Sequence, residues 1–280
     1  MYPREVGYFR PSTIEEALKF LEKEKDSRPL AGGQSLIPMM RLRVANPSYL
    51  VDLTPLNMNG FNLSDNEVRI GATTKYSEIL SRTELRKATP LLVKALSQVG
   101  DSQVRNMGTL GGSVCNADPA SDSPAVLLAA EARFVVKSVN GEREVKASDF
   151  FKGPFTTQLK QGEILREIKI PTHADYKTTY VKLVRRAGDY AIVSAAVMLK
   201  MKGEEVEDVR LSYASAADRP YRAKEAEEFL KGRKLNEENL REAAELALKG
   251  ASPPSDVRAS SSYRKELIKL VTMRGLRGAS

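Results

Sequence analysis

Two glycine-centred stretches carry the clearest chemical signal in the chain. The first is Leu30-Ala31-Gly32-Gly33-Gln34-Ser35-Leu36, where a strand pattern runs into paired glycines and a helix pattern opens at once. Glycine admits positive φ and lets a ligand approach the main chain closely. The first turn of a helix presents unpaired N–H groups, and its dipole favours an anion. A phosphate or pyrophosphate is the guest this arrangement invites, with Ser35 adding a hydroxyl. The same residues also suit a tight strand-to-helix turn capped by Ser35. The second stretch is Asn106-Met107-Gly108-Thr109-Leu110-Gly111-Gly112-Ser113. Two such stretches suit a ligand gripped from both sides, such as a dinucleotide.

Asn116-Ala117-Asp118-Pro119-Ala120-Ser121-Asp122 follows. Its two carboxylates could serve as acid and base, cap the next helix, or accept hydrogen bonds from sugar hydroxyls. With no histidine nearby, hydroxyl recognition ranks above acid–base work. Arg185-Arg186-Ala187-Gly188-Asp189-Tyr190-Ala191 is a charged corner whose tyrosine could stack on a flat ring or simply pack at a strand start. No G-x-x-x-x-G-K-[ST], G-x-G-x-x-G or G-x-S-x-G occurs, which argues against a P-loop, a Rossmann NAD site and a nucleophile elbow. The 280 residues include one histidine, His173, and one cysteine, Cys115. That rules out an internal disulfide, a structural zinc site or an iron–sulfur cluster built from this chain alone, since such sites need about four N/S ligands. Redox chemistry here would fall to an organic cofactor. Cys115 reads as a small buried side chain.

These residues need elements to hold them. Residues 5–10, 28–31 and 49–53 read as strands, separated by helices from Ser12 to the low twenties and from the first glycine pair to Leu42. Ser12-x-x-Glu15 forms a capping box, and Ile14, Ala17, Leu18 and Leu21 recur at helical spacing. This is a β-α-β-α-β unit. Residues 54–62 form a loop and a subdomain boundary. A strand at 68–71, a helix opened by Pro90, a helix at 125–131, a hairpin turning on Asn140-Gly141 and a strand at 164–170 follow. Residues 179–185, 191–201 and 206–213 then read as three successive strands. Helices follow at 222–230, at 238–249 with Gly250 as C-cap, and at 262–274. The change of character places a domain boundary near Thr172 and gives an α+β chain of three parts: 1–54, 55–171 and 172–280.

The formal net charge of +8 suggests nucleic acid as a partner, but the charges are interleaved; residues 222–234 mix three glutamates among the cations. Aromatics make up 6%, with no tryptophan to stack bases, so a solvated basic surface is the preferred reading over nucleic-acid binding. The N-terminal residues lack a signal-peptide core and no run is long enough to span a membrane, which fits a cytoplasmic protein.

Together the motifs resemble the FAD-binding medium subunit of molybdenum hydroxylases, the group of xanthine dehydrogenase, aldehyde oxidoreductase and carbon monoxide dehydrogenase. Ala31 to Met40 is similar to the first FAD loop of that family, and Thr109 to Ser113, continuing to Asp122, is similar to the second. Lys182 with Arg185-Arg186-x-x-Asp189-Tyr190-Ala191 resembles the opening of its C-terminal domain, and Ser262-Tyr263-Arg264 through Arg274 its closing helix. The resemblance implies a two-subdomain FAD domain of the vanillyl-alcohol-oxidase/MurB type plus a C-terminal domain with a three-stranded antiparallel sheet and helices. It implies that Leu30, Ala31, Gly32, Gly33, Gln34, Ser35, Leu36 and Ile37 cradle the pyrophosphate, and that Thr109, Gly111, Gly112 and Ser113 grip it from the opposite side. It adds Asp118 and Asp122 as carboxylates toward the cofactor, with Leu165, Lys182 and Tyr190 near the flavin. It assigns no catalytic acid or base and no metal to this chain. Molybdopterin and [2Fe–2S] clusters would sit on a large and a small partner subunit, in a dimer of heterotrimers passing electrons to FAD during oxidation of an aldehyde or similar substrate. A stand-alone FAD-dependent oxidoreductase is the alternative.

Overall fold

Strands Gly7–Phe9, Ser27–Leu30 and Tyr49–Asp52 pair in parallel, with Tyr49–Asp52 in the centre. Parallel neighbours need crossovers. Helices Ile14–Lys23 and Leu36–Arg41 stand in the two connections, so the expected β-α-β-α-β unit is present in this computed structural model, which describes residues 2–280. The first helix starts one residue later than expected. Thr13, not Ser12, is its N-cap: the Thr13 Oγ1 accepts from the Glu16 N–H at 3.2 Å, while the Ser12 N–H donates to Glu16 Oε2 at 2.7 Å. Either hydroxyl and either glutamate could have served. The register adopted buries Ala17, Leu18 and Leu21 in one small core with Val51, Leu53 and Leu56.

A five-stranded antiparallel sheet follows, in the order Phe61–Leu63, Glu67–Gly71, Ile164–Pro171, Arg133–Ser138, Gly141–Lys146. One face buries Val68, Ile70, Phe134, Val136, Ile168 and Ile170. The other carries ion pairs, among them Arg133 with Glu67, Arg166 with Glu142 and Lys169 with Glu144. Alternation of this kind is the signature of a sheet with one wet face. Helices Pro90–Leu96 and Asp122–Ala129 contribute to the core on the dry face. Helices Tyr76–Ser81, Thr83–Ala88 and Ser102–Met107 have no counterpart in the sequence reading, because one or two turns are too short to develop a period.

The second glycine stretch is itself helical. Leu110–Asn116 is a helix capped by Thr109, not the loop expected from Gly111 and Gly112. Glycine in a helix costs about 1 kcal/mol relative to alanine. Packing explains it: a Cβ at Gly111 would lie 2.5 Å from the Ala72 carbonyl oxygen, which accepts the Gly111 N–H at 2.9 Å.

In the last part, strands Lys177–Leu183, Val193–Lys202 and Glu205–Ala214 form an antiparallel sheet. Tyr221–Arg222 adds a two-residue fourth strand to the three expected. Helices Lys224–Leu230, Glu237–Leu246 and Ser261–Ala279 contribute to the core on it. The middle helix is capped at Ala247 rather than Gly250, whose N–H donates instead to the Tyr221 hydroxyl at 3.2 Å. The last helix begins after Ser260 and continues to Ala279, past the expected end, because Leu276 and Ala279 are still buried.

His173 sits where the second and third sheets meet. Its Nε2 lies 3.2 Å from the Ala130 carbonyl and 3.0 Å from Arg210 Nη1. Burial pushes the imidazole below its ordinary value; the Ala130 carbonyl opposes this and the Arg210 charge adds to it. A depressed histidine stabilises the fold above its unfolded value, and that contribution is lost as pH falls through the folded one. The chain has one histidine, so its imidazole NMR signal is unambiguous. We expect a titration midpoint below 6.5 in the folded protein; a midpoint at or above it contradicts this placement.

Candidate functional site

The edge strand Ser27–Leu30 delivers the first glycine stretch. The Leu30 carbonyl accepts the Leu53 N–H at 2.8 Å, and beyond that point the ladder stops. No main-chain N–H group of residues 31–36 donates to an acceptor among the described residues. The turn is made by Gly33, whose φ of +70° lies in the left-handed region, and it is closed by the Ile37 N–H donating to the Gly33 carbonyl at 3.0 Å. Leu36–Arg41 is a helix of 6 residues, so its dipole is slight and the free N–H groups carry the anion-binding character. Ser35 stands at the cap position in right-handed conformation and makes no capping bond, so the alternative role of Ser35 as cap is not the one adopted. Gln34 is exposed, with Nε2 3.4 Å from the Gly32 carbonyl. Leu36 and Ile37 are half-buried.

Gly32 does something different from Gly33. A Cβ there would lie 2.0 Å from the Met107 carbonyl oxygen and 2.9 Å from Gly108 Cα. The first stretch therefore touches the second, main chain to main chain. In the second stretch the N–H groups are mostly spent internally. Leu110 donates to the Thr74 carbonyl, Gly111 to that of Ala72, and Gly112 to Thr109 Oγ1 at 3.1 Å. Gly112 is exposed, and Ser113 is half-buried with its hydroxyl in a small network. Ser113 Oγ lies 2.6 Å from Ser121 Oγ and accepts from Ser123 Oγ at 2.8 Å, beside the buried Tyr76 phenol. Burial pushes that phenol up to about 12. Tyr76, Ser121 and Ser123 were not among the expected site residues. The serines flank Asp122 and were open to notice, whereas nothing local marks Tyr76.

Asp122 is 3% exposed. Both its oxygens are taken: Oδ1 accepts from the Tyr180 hydroxyl and Oδ2 from Lys182 Nζ at 2.8 Å, and Lys182 also donates to the Gln98 carbonyl at 3.1 Å. Burial raises the Asp122 carboxyl, and the Lys182 charge opposes it. Asp122 and Lys182 thus answer each other, joining the helix Asp122–Ala129 to the strand Lys177–Leu183. Asp118 is half-buried and more accessible, with Oδ1 accepting from the Ala120 N–H at 2.9 Å; burial pushes its carboxyl up. Leu165 is buried in the core at a bulge in its strand. Cys115 packs against this core only partly buried, not fully buried as expected, and desolvation pushes its thiol up to about 12.

Tyr190 reaches the site from the corner between two strands of the third sheet. Its phenol is raised by burial first and by the Asp118 charge second, and the neighbouring Ser35 hydroxyl of the first stretch opposes this. Its ring remains 39% exposed. Ser35, Asp118 and Tyr190, one from each third of the chain, therefore converge beside the free N–H row. A row of unpaired donors with a free hydroxyl and no side chain at Gly33 matches an anionic diphosphate, so the residues present fit FAD. A cavity of about 30 Å³ among Leu91, Val126, Ile170, His173 and Met198 lies elsewhere and is too small for any cofactor.

The description "FAD binding domain in molybdopterin dehydrogenase" matches residues 4–173, and "CO dehydrogenase flavoprotein C-terminal domain" matches residues 178–279. The chain belongs to the FAD-binding medium subunits of the molybdenum hydroxylases. It is 49% identical to the glyceraldehyde dehydrogenase medium chain of Sulfolobus acidocaldarius, over 99% of both chains. It is 33% identical to the carbon monoxide dehydrogenase medium chain of Hydrogenophaga pseudoflava, covering 100% of this chain and 98% of that one. The solved carbon monoxide dehydrogenase from Hydrogenophaga pseudoflava that lacks the Mo-pyranopterin moiety superposes with a TM-score of 0.97 at 35% identity, covering 100% and 98% of the two chains. Quinoline 2-oxidoreductase from Pseudomonas putida 86 superposes with a TM-score of 0.95 at 34% identity, again over 100% and 98%. This flavoprotein subunit thus shares one fold with medium subunits whose enzymes take different substrates.

Two substitutions separate scaffold from cradle. Gly32→Ala drives a Cβ into the Met107 carbonyl and is expected to destabilise by more than Gly33→Ala, which adds a left-handed backbone term of about 1–2 kcal/mol and a 3.1 Å contact with the movable Ile37 side chain. Equal denaturant midpoints for the two variants would contradict the contact. Lys182→Met strands a buried carboxylate and should lower stability by about 3–5 kcal/mol, most of it regained in Lys182→Met/Asp122→Leu. Urea unfolding of the single and double variants measures both.

Proposed function

We propose that Leu30 to Ile37, with Ser113, Asp118 and Tyr190, hold FAD in this subunit, and that the chain passes electrons from iron–sulfur clusters of a small partner subunit to an external acceptor. Substrate oxidation would occur at a molybdopterin centre on a large partner subunit, in a cytoplasmic dimer of heterotrimers. The similarity to a glyceraldehyde dehydrogenase medium chain supports an aldehyde as substrate. The observation that carries the cofactor reading is the run of main-chain N–H groups at residues 31–36 with no acceptor among the described residues. Bound FAD supplies two-electron redox chemistry. The residues of the chain do the rest. The N–H row and Ser35 bind the diphosphate, Gly33 keeps the approach open, and Tyr190 covers one side. Thr109, Gly111 and Gly112 act chiefly by building the wall on which Ser113 is carried. Asp122, Lys182 and Leu165 support that wall from behind. The division into 1–54, 55–171 and 172–280 is supported by the three larger sheets, one in each part, and the cofactor would lie against all three parts. Among the described residues no helix is long and apolar enough to cross a membrane.

The chain expressed with ample flavin should purify yellow, and expressed with its neighbouring genes it should bring iron–sulfur and molybdopterin subunits with it. Gly33→Val combined with Gly112→Val should reduce flavin content at least about tenfold while circular dichroism is unchanged. A colourless wild-type protein, or unchanged flavin in the double variant, would sink the cofactor assignment; a yellow chain that oxidises a substrate without partners would favour the stand-alone enzyme.

A further inference from the structure

The loop before the last helix contributes a cation to the site that no motif marks. Arg258 places its guanidinium over the Tyr190 ring, with Cζ 5.6 Å from the ring centroid. Its charge acts on Asp118 as well as on Tyr190. The loop that carries it is tied down. Asp256 Oδ1 accepts the Arg258 N–H at 2.8 Å and the Ala259 N–H at 3.2 Å, and Oδ2 lies 3.3 Å from Arg258 Nη1. Asp256 in turn accepts from Arg264 Nη2 at 2.6 Å. Arg264 is 1% exposed, on the last helix, and its other amino group donates to the Ile192 carbonyl, two residues beyond Tyr190. Arg185, from the Tyr190 corner, donates to the Val257 carbonyl at 3.1 Å. One buried guanidinium therefore grips both segments, the corner bearing Tyr190 and the loop bearing Arg258.

We propose that Arg258 is a positioning residue of the FAD site: anchored through Asp256 and the buried Arg264, it stacks on Tyr190 and holds that ring at the corner beside the first glycine stretch. This rests on the FAD reading above. Surface solubility does not account for the arrangement, since a solvated arginine needs neither a buried partner beneath its loop nor an aromatic face. A cation on an aromatic ring is worth enough to change affinity by about two- to thirty-fold when it orders a binding group. The planar guanidinium matters as well as the charge, so lysine is an incomplete substitute.

The test uses the chain stripped of FAD and the rebinding of FAD followed by flavin fluorescence. Arg258→Met and Arg258→Gln should each weaken binding about two- to thirty-fold, with Arg258→Lys in between. Tyr190→Leu should weaken it too, and Arg258→Met/Tyr190→Leu should be no weaker than Tyr190→Leu alone, because Arg258 acts through the ring. Without FAD, the Tyr190 phenol should titrate higher in Arg258→Met, read at 295 nm as the difference from the same protein carrying Tyr190→Phe. Wild-type binding that Arg258→Met and Arg258→Gln leave unchanged, losses that multiply in the double variant, or an unmoved phenol overturns this role alone. Wild-type protein that binds no FAD overturns the cofactor reading and this role with it.

Discussion

The main chain of Gly32 lies against the carbonyl of Met107, and the geometry of the site depends on that contact. It joins a small parallel sheet to the helical layer of a five-stranded antiparallel sheet with no room for a methyl group between them. Because the two segments touch directly, the free N–H row of residues 31–36 and the hydroxyl network around Ser113 form one continuous surface. Gly111 repeats the device one layer down, against Ala72. The two glycines set the relative position of the layers, and Gly33 shapes the surface that results.

Burial of charge holds the third part in place. Asp122 and Lys182 are withdrawn from water together, with the Tyr180 hydroxyl and the Gln98 carbonyl completing their partners. Such a pair adds little net stability compared with apolar residues of the same size, but breaking one side is costly, so it favours a single docking geometry. That geometry brings the Tyr190 corner beside Ser35 and Asp118. Arg264, buried beneath the same corner, adds a second charged tie to it. The medium subunit is thus assembled by contacts that tolerate little displacement, around a surface whose own donors are left unspent.

Much of this was legible in the residues. The β-α-β-α-β unit, the Asn140-Gly141 hairpin and the three long strands of the last sheet follow from periodicity and turn chemistry. The short helices Tyr76–Ser81, Thr83–Ala88 and Ser102–Met107 did not show, since one or two turns cannot display a repeat. The helix through Gly111 and Gly112 was hidden by residues that disfavour helices and are there for close packing. The N-cap slipped by one, from Ser12 to Thr13, because the two hydroxyl residues are chemically equivalent neighbours.

By itself the sequence determined the class of chemistry. One histidine and one cysteine leave little beyond an organic cofactor for redox work, and the paired-glycine stretches, in order and with their flanking residues, are enough to point to FAD and to the family. Tertiary structure decided which residues face a ligand. Asp118 and Asp122 are four apart and alike on paper, yet one is half-open and the other is closed upon Lys182. Gly32 and Gly33 are adjacent and identical, yet one lies against rigid main chain and the other turns the backbone through positive φ beside the Ile37 side chain. Arg258 is one arginine among many until the chain folds it onto Tyr190. Local pattern specifies what a residue can do; burial and the neighbour across the fold, contributed by segments far apart in sequence, decide what it is free to do.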